Sequence, residues 1–240
     1  MPAKGLLIVI CGIDGSGKTL QTAMLRDRVR RAGRRARTIE FPRYEQGFFG
    51  NLVARYLRGE FAKDPAAVDP YLATLPFACD RWEALPVLDG WLKAGAVVIS
   101  NRYVPANLAH QGGKITSRAR RREFLQWVTK LEYGVFGLPR PALHVWLDMP
   151  PRVAATLILR KHKRKYLKSR RDIHESSSKH MLATRVVYKE LAGGRGWVRI
   201  ECAEKGRPLP PEDIAEKVWQ AVCRRLPQVR SRRQRKEKKK

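Results

Sequence analysis

Residues 12–19 carry the spacing G-x-x-x-x-G-K-[ST], which is typical of loops that bind phosphate groups. Glycines let the backbone wrap closely around an anion, and the helix that follows adds the positive end of its dipole. Lys18 can then reach the β- and γ-phosphates of a nucleoside triphosphate, and the Thr19 hydroxyl can bind the Mg²⁺ ion that they carry. A flexible glycine-rich loop would match this spacing by chance only about once in a hundred chains of this length. The residues predicted to bind the nucleoside triphosphate are Gly12, Ile13, Asp14, Gly15, Ser16, Gly17, Lys18 and Thr19.

A second group of residues could bind a base and a phosphate. Phe77 and Arg81 are four residues apart, so a helix places an aromatic ring and a guanidinium group on one face, where they could contact a planar base. The commoner alternative is a core phenylalanine and an arginine paired with Asp80 or Glu83. Arg43 follows a predicted strand and has the fork geometry that suits a phosphate, although a surface loop arginine is equally compatible with the sequence.

Polar residues also follow the third predicted strand. P-loop proteins usually place an acidic metal ligand at this strand end, but the residue here is Asn101, followed by Arg102. Asn107, His110 and Gln111 fall at helical positions i, i+3 and i+4, so they form a polar face that can line a pocket. A lone histidine on such a face is more often structural than catalytic.

Strands and helices alternate along the chain, which decides how these residues are positioned. Apolar, mostly β-branched segments predict five strands, at residues 6–11, 36–41, 96–100, 142–147 and 197–202. Apolar residues at helical spacing predict helices between and after the strands, one of them spanning residues 70–92. The alternation predicts an α/β fold with a five-stranded parallel sheet, right-handed crossovers and functional groups at the carboxyl ends of the strands.

The charge of the chain is concentrated in two segments. The 240 residues have a formal net charge of +28, and 43% of them are hydrophobic, enough to build a core. Residues 160–171 contain eight Lys or Arg and no acid, and residues 224–240 contain ten Lys or Arg and one acid. We predict one domain over residues 1–226 and a disordered basic tail over residues 227–240.

The cysteine pattern favours a reducing compartment. Cys11, Cys79, Cys202 and Cys223 show no C-x-x-C pairing, and three of them sit in apolar patterns. About six apolar residues precede the phosphate loop, too few for a secretory signal, and no run approaches the roughly 20 residues needed to span a bilayer. The sequence therefore predicts a cytoplasmic protein without a membrane segment.

In order along residues 6–223, the motifs resemble those of the thymidylate kinases, a family of the P-loop nucleoside monophosphate kinase superfamily. GIDGSGKT resembles the family's phosphate loop almost letter for letter, and VISNRYVPANLAHQGG at 98–113 resembles ISDRYxxSxxAYQG. The other matching motifs are FPRY at 41–44, YLRGEF at 56–61, FACDRWE at 77–83 and RDIHE at 171–175, which resembles the lid motif DRIE. The resemblance implies a three-layer P-loop kinase fold that transfers a phosphoryl group from MgATP to dTMP, giving ADP and dTDP.

The resemblance also implies roles for single residues on the acceptor side. Phe77 would stack on thymine, and Arg81 would hydrogen-bond its edge. Arg102 and Arg43 would hold the acceptor phosphate, and Asp14 would lie near that phosphate and the sugar. The remaining dTMP-binding residues that the resemblance implies are Asn107 and Gln111.

On the donor side, the resemblance implies that the basic segment forms a lid over ATP at about residues 160–175. Because Gly15 and Ser16 leave the phosphate loop without an arginine, the lid would supply the cations that neutralise the transferring charge. By their proximity to Asp172, the candidates are Arg164, Arg170 and Arg171. The other predicted catalytic residues are Asp14, Lys18 and Arg102.

Four residues depart from the family pattern. Cys11 stands where a glutamate often precedes the loop, and Arg43 lies one position earlier than the arginine of the commoner motif. Asn101 replaces the aspartate of DRY, and a neutral amide is a poorer Mg²⁺ ligand than a carboxylate. His110 replaces a tyrosine at the contact that tests the sugar's 2′ position.

Two other functions are compatible with the sequence. One is a kinase of dUMP, UMP or a deoxynucleoside. A nucleoside kinase needs a carboxylate base near the end of the second strand, and Glu40 is available there. Arg43 and Arg102 instead favour an acceptor that carries a negative charge. The other is a nucleic-acid-binding protein with a degenerate kinase domain, in which the basic tail binds phosphate backbones without sequence preference. We interpret the tail as an accessory segment, and we expect the homodimer that is usual in the family.

Overall fold

A computed structural model describes residues 5–61, 68–159 and 178–226 of the chain. The predicted lid and basic tail lie outside these residues. The strands are β1 (Leu6–Cys11), β2 (Ala36–Glu40), β3 (Val97–Asn101), β4 (Leu143–Asp148), β5 (Trp197–Glu201), β6 (Ala203–Glu204) and β7 (Arg207–Pro208). The helices are α1 (Lys18–Arg31), α2 (Gly47–Leu57), α3 (Pro70–Glu83), α4 (Leu85–Lys93), α5 (Val104–Gly112), α6 (Arg118–Thr129), a π-helix (Lys130–Val135), α7 (Pro151–Leu159), α8 (Ser178–Leu191) and α9 (Pro211–Cys223).

The main sheet is parallel throughout and has the strand order β2-β3-β1-β4-β5. Helices flank it, so the predicted α/β fold with five parallel strands is confirmed. The register pairs Ile10 with Asn101 and Asn101 with Glu40, which brings the carboxyl ends of β1, β3 and β2 side by side. Ligands of open α/β sheets bind at this edge, so the loops that follow these strands form the candidate site.

Strands β1 and β3 lie inside the core, because both of their faces are covered. Ile8, Ile10 and Ile99 have no exposed surface. A strand buried on both faces needs no polar alternation, which explains why these segments read as continuous apolar runs. A smaller apolar cluster joins α2 to α3 through Tyr56 and Ala73, and it supports the helix that carries Phe77 and Arg81.

The structure differs from the predicted elements in a few places. The single helix predicted over residues 70–92 is two helices, α3 and α4, because Pro86 lacks the N–H that a continuous helix would need and its ring opposes the preceding turn. Strand β3 ends at Asn101, one residue later than predicted, so this residue is part of the sheet. The π-helix and the β6-β7 hairpin were not predicted, since both are short and have no clear apolar period.

Among the residues that the structure describes, no helix is long and apolar enough to cross a membrane. All four cysteines of the chain are free thiols. Burial raises the pKa of the Cys11 thiol far above its usual range, so the residue before the phosphate loop is a neutral core side chain.

Candidate active site

The phosphate loop adopts a backbone that requires glycine at two of its positions. Gly12 and Gly15 have φ angles of 145° and 79°. A Cβ atom on Gly12 would lie 2.6 Å from the carbonyl oxygen of Leu147, and one on Gly15 would lie 2.5 Å from the carbonyl oxygen of Ala154. Helix α1 begins at Lys18, within the last two residues of this motif, so its first N–H groups are directed toward the space where an anion would bind.

Asp14 lies between the two cations that the sequence predicted on the donor and acceptor sides. The Lys18 ammonium group donates to the carbonyl oxygen of Ile13 at 2.8 Å and lies 3.5 Å from an Asp14 carboxylate oxygen. Arg102 donates to the same Asp14 carboxylate oxygen from the other side. All three residues line the cavity in front of the loop. One buried carboxylate therefore holds both cations close to the place of the reacting phosphates.

The polar groups at the ends of β2 and β3 form a set of oxygen ligands beside Thr19. Asn101 Nδ2 donates to Thr19 Oγ1 at 3.1 Å and to Glu40 Oε1 at 2.7 Å. Asn101 is buried, and its Oδ1 atom has no hydrogen-bond partner among the residues that the structure describes. Hydroxyl, amide and carboxylate oxygens suit Mg²⁺ when phosphates and water complete its shell. The residues present therefore fit the predicted magnesium ion.

Arg102 connects the phosphate loop to α5. Its backbone has a φ of 66°, which is rare for a residue with a side chain and is typical of functional sites, and its N–H donates to the carbonyl oxygen of Ile10 at 2.9 Å. The guanidinium donates through Nη2 to Asp14, and its Nη1 lies 3.2 Å from His110 Nε2. Two contacts thus fix the plane of the guanidinium group.

The contact with Arg102 also indicates which ring nitrogen of His110 accepts a hydrogen bond. A guanidinium group has no acceptor, so His110 Nε2 must accept and the proton of the ring lies on Nδ1. That Nδ1 atom is 3.3 Å from His180 Nε2, which accepts in turn. Burial, together with the charge of Lys114, lowers the pKa of His180 to about 4. His180 is therefore neutral at pH 7, and the Arg102 guanidinium supplies a positive charge beside Asp14.

Arg81 is buried and forms a two-point ion pair with Glu132. The Nε–Oε2 distance is 2.6 Å and the Nη2–Oε1 distance is 2.8 Å. Asn107 Nδ2 donates to the same Glu132 carboxylate at 3.0 Å and to the carbonyl oxygen of Thr74 at 3.2 Å. Glu132 comes from the π-helix and was not among the predicted site residues. It orients two of the side chains that were predicted to bind a base.

Arg43 is held by the two acids that the sequence offered as partners of Arg81. Its Nε donates to Asp80 Oδ1 at 2.9 Å, and its Nη2 donates to Glu83 Oε2 at 2.9 Å. Burial raises the pKa of Asp80, while the hydrogen bonds and the charge of Arg43 oppose that rise. A phosphate would have to share Arg43 with these carboxylates, and its phosphate contact stays a prediction.

Two adjoining cavities receive the predicted site residues. The larger has a volume of about 710 Å³, and its lining includes Asp14, Gly15, Gly17, Lys18, Thr19, Glu40, Arg43, Asn101 and Arg102. The narrower has a volume of about 40 Å³, and its lining includes Phe77, Arg81, Asn107, His110 and Gln111. The residues that border both are Asp14, Phe41, Pro42, Tyr44 and Arg102.

The placement of the predicted residues divides them into three groups. Those that line the two cavities are brought together, whereas Gly12, Ile13 and Ser16 are buried in the loop and shape it from within. The lid residues Arg164, Arg170 and Arg171 lie outside the described residues. In the narrower cavity, Phe77 packs edge-on against Tyr56, with ring centroids 5.8 Å apart. Ligand pockets usually measure about 300–1,000 Å³, so this cavity has to widen before it admits a base.

The fold and the site define a P-loop phosphotransferase. A phosphate loop follows the central strand of a parallel sheet, and beyond Asp14 and Arg102 a second cavity offers an aromatic ring and buried polar groups to another substrate. Residues 10–207 match the family "Thymidylate kinase". The chain belongs to the thymidylate kinase family.

Individual relatives agree with this assignment. The chain is 34% identical over 216 residues to a thymidylate kinase of Mycobacterium tuberculosis, covering 87% of this chain and 99% of the relative. It is 27% identical to a probable thymidylate kinase of Pyrobaculum aerophilum, covering 90% and 96% of the two chains. The solved structure of thymidylate kinase from Candida albicans superposes with a TM-score of 0.72 and covers 94% of each chain. At 19% identity, that structure shows a shared fold.

Proposed function

We propose that this chain transfers the γ-phosphoryl group of ATP to dTMP, giving ADP and dTDP. Its membership of the thymidylate kinase family supports this reaction. The structural observation that carries the proposal is the meeting of the two cavities at Asp14 and Arg102. In-line phosphoryl transfer requires donor and acceptor phosphates to be held end to end, and these cavities offer one place for each.

On the donor side, the loop of residues 12–19 would hold the ATP phosphates with its backbone N–H groups. Lys18 would leave the carbonyl oxygen of Ile13 for the β- and γ-phosphates. Thr19 and the oxygen ligands beside it would hold the Mg²⁺ ion, which when bound neutralises charge that develops on the phosphates. Catalysis then consists of positioning and charge stabilisation, because this reaction needs little covalent work from the protein.

On the acceptor side, Phe77 would stack on thymine and Arg81 would donate to its edge. Glu132 uses two of the five N–H donors of Arg81, so the remaining donors can face the base. Gln111 Oε1 is buried without a hydrogen-bond partner among the described residues, so it offers an acceptor to a ligand. With Asn107, these groups would form a pocket whose polar atoms are oriented before the nucleotide binds.

Arg102 would bind the acceptor phosphate, with Arg43 as a second cation. Asp14 and His110 hold the Arg102 guanidinium from two sides, which favours a fixed geometry for the phosphate. Arg43 borders the same cavity, but two carboxylates balance its charge. Arg102 is therefore the stronger candidate for contact with the transferring group.

We expect residues 160–175 to close over ATP, because an open site would allow water to attack it. Arg164, Arg170 and Arg171 are the candidates for the cation at the γ-phosphate. Replacing all three by glutamine should lower kcat far more than ATP affinity. Loss of ATP binding with turnover retained would contradict the lid role.

A coupled assay with MgATP and, in turn, dTMP, dUMP, UMP, CMP and thymidine tests the proposed reaction. The wild type should turn over dTMP fastest, and Lys18→Met should be almost inactive because it removes the cation at the β- and γ-phosphates. A preference for thymidine would favour a nucleoside kinase with Glu40 as its base. No turnover with any acceptor would favour the nucleic-acid-binding protein.

We infer a homodimer that forms through α3. Leu72, Leu75 and Trp82 lie at i, i+3 and i+10 on one face of this helix, and they are 64%, 36% and 51% exposed. Burial of such a face against a second copy would remove apolar surface from water. In sedimentation velocity, Leu72→Glu should shift the protein toward a monomer, and an unchanged sedimentation coefficient would contradict this interface.

We also propose a cytoplasmic location and an accessory role for the basic tail. Free thiols at all four cysteines are compatible with a reducing compartment. Residues 227–240 would contact polyanions without sequence preference, in a salt-dependent way. Truncation after residue 226 should leave turnover unchanged and weaken retention on immobilised DNA, whereas a large loss of turnover would contradict a single domain over residues 1–226.

A further inference from the structure

We propose that Glu40 is the carboxylate of the magnesium site, positioned at the end of β2, and that it fills the role of the acid that P-loop proteins usually carry at the end of β3. This inference deepens the proposed function and rests on phosphoryl transfer from MgATP. Position 101 holds an asparagine, and a neutral amide lacks the charge with which a carboxylate attracts Mg²⁺ or orients its water ligands. The end of β3 therefore contributes no negative charge of its own.

The sheet places Glu40 where it can supply that charge. The parallel pairing of β2 with β3 sets Glu40 directly opposite Asn101, and each is the last residue of its strand. Neighbouring strands lie about 4.8 Å apart. A glutamate on β2 is one methylene group longer than an aspartate on β3, and this extra length spans part of that distance. Glu40, Asn101 and Thr19 all line the larger cavity in front of the phosphate loop.

Asn101 joins the metal-binding hydroxyl to this carboxylate. Its Nδ2 atom donates to Thr19 Oγ1 at 3.1 Å and to Glu40 Oε1 at 2.7 Å. An aspartate at position 101 would repel Glu40, whereas the amide attracts it, so Asn101 acts as a positioning residue. The side chain is only 2% exposed and its Oδ1 atom has no partner within the described part of the chain. That oxygen can accept a hydrogen bond from a water ligand of the metal.

In Glu40 and Asn101 the acid therefore stands on β2 and the amide on β3, whereas P-loop proteins usually carry the acid on β3. The exchange predicts that the acid can be removed at one strand end and restored at the other. Glu40→Gln leaves two amides, and the double variant E40Q/N101D moves the single carboxylate to β3. Neither substitution changes the size of the side chain much, which makes the pair suitable for a rescue experiment.

The test measures Mn²⁺ binding to the full-length protein saturated with ADP, by electron paramagnetic resonance of the free ion. This readout needs no turnover. Glu40→Gln should weaken Mn²⁺ binding about tenfold or more, in line with the loss of groups that support a metal, and E40Q/N101D should recover most of the affinity. The matched control is Glu45→Gln, because Glu45 lines the same cavity and its substitution removes the same charge. We expect that control to change Mn²⁺ affinity by less than about twofold, since Glu45 has no hydrogen bond to Asn101 or Thr19 among the described contacts and solvent and salt screen its exposed charge.

ADP affinity in EDTA separates metal binding from folding, and it should be equal in Glu40→Gln and the wild type. Three results would each overturn the proposal. Glu40→Gln could leave Mn²⁺ affinity unchanged, Glu40→Gln and Glu45→Gln could lose Mn²⁺ affinity equally, or Glu40→Gln could lose metal-free ADP binding. A double variant that recovers nothing would overturn the exchange between the strands. Thymidine phosphorylation that Glu40→Gln abolishes, at unchanged metal affinity, would make Glu40 a base instead. Failure of the proposed function is a different result, namely no dTMP turnover by the wild type.

Discussion

Arg81 and Glu132 form an ion pair that is almost wholly shielded from solvent, with side-chain exposures of 2% and 0%. Two N–H groups of the guanidinium donate to the two carboxylate oxygens, at 2.6 and 2.8 Å. A buried guanidinium group is tolerated only while an opposite charge balances it. The pair is therefore a part of the core, and through Arg81 it also borders the predicted base pocket.

Substitution of Glu132 tests both roles of this pair. Glu132→Gln keeps the shape of the side chain but leaves the charge of Arg81 uncompensated, so the free energy of unfolding should fall by about 3–5 kcal/mol. Denaturant unfolding measures this change. Glu216→Gln is the control, because Glu216 is 48% exposed in its pair with Arg28, and its loss should change the free energy of unfolding far less than the loss of Glu132. Similar losses in the two variants would contradict the structural role of Glu132.

The phosphate loop and the sheet could be predicted from the sequence because their signals are local. The glycine spacing of residues 12–19 and the continuous apolar runs of the strands depend on neighbours along the chain. The shared face of Phe77 and Arg81 is local for the same reason, since helical periodicity places residues four apart together. These features carried the prediction of the fold and of most residues in the two cavities.

The partners of these residues could not be predicted, because they come from distant parts of the chain. Glu132 reaches Arg81 across 51 positions, and Asp80 and Glu83 pair with Arg43. The signal for Glu132 was weak: it is an acid in an otherwise mainly apolar segment after α6. Which cation an acid contacts depends on how the helices pack, and this is a tertiary property.

Gly15 should be less tolerant of substitution than Gly17, although both have left-handed backbones, with φ angles of 79° and 88°. A Cβ atom on Gly15 would lie 2.5 Å from the carbonyl oxygen of Ala154, whereas one on Gly17 would have no atom within 4 Å. Gly17→Ala should therefore lower the free energy of unfolding by about 1–2 kcal/mol, from backbone strain alone. Gly15→Ala adds a clash with backbone and should lower it by at least about 1 kcal/mol more. Denaturant unfolding without nucleotide gives the comparison, and equal losses would contradict the close contact with Ala154.

His144 should make the stability of the protein depend on pH. Its ring stacks on Trp197 with centroids 4.6 Å apart, and its Nδ1 atom is buried without a hydrogen-bond partner in the described residues. Burial lowers the pKa of His144 to about 4, while a hydrogen bond to the backbone of Gly196 opposes that change. The unfolded chain, with a histidine pKa of about 6.5, therefore takes up a proton first as the pH falls. The stability that neutral His144 contributes is fully present above about pH 6.5 and is lost as the pH falls to about 4.

The measurement compares His144→Phe with the wild type by denaturant unfolding at pH 7 and pH 4.5. Phenylalanine keeps an aromatic ring on Trp197 but cannot take up a proton. Between pH 7 and pH 4.5, the wild type should lose on the order of 2 kcal/mol more unfolding free energy than the variant loses. His180, whose pKa burial also lowers to about 4, is present in both proteins and cancels in the subtraction. If the unfolding free energies of the two proteins changed equally with pH, the buried His144 ring would not resist protonation.

Arg102→Lys should separate the charge of this residue from its fork geometry. Lysine keeps a cation beside the phosphates, but a single ammonium group cannot hold Asp14, His110 and a phosphate in one fixed plane as the guanidinium group does. We expect kcat with dTMP to fall about 100-fold, as when one donor to the transition state is lost, with a small change in the KM for ATP. Arg26→Lys is a control on the surface, where Arg26 pairs with the neighbouring Asp27, and it should leave both constants unchanged. Turnover of Arg102→Lys within about threefold of the wild type would mean that charge alone is sufficient at this position.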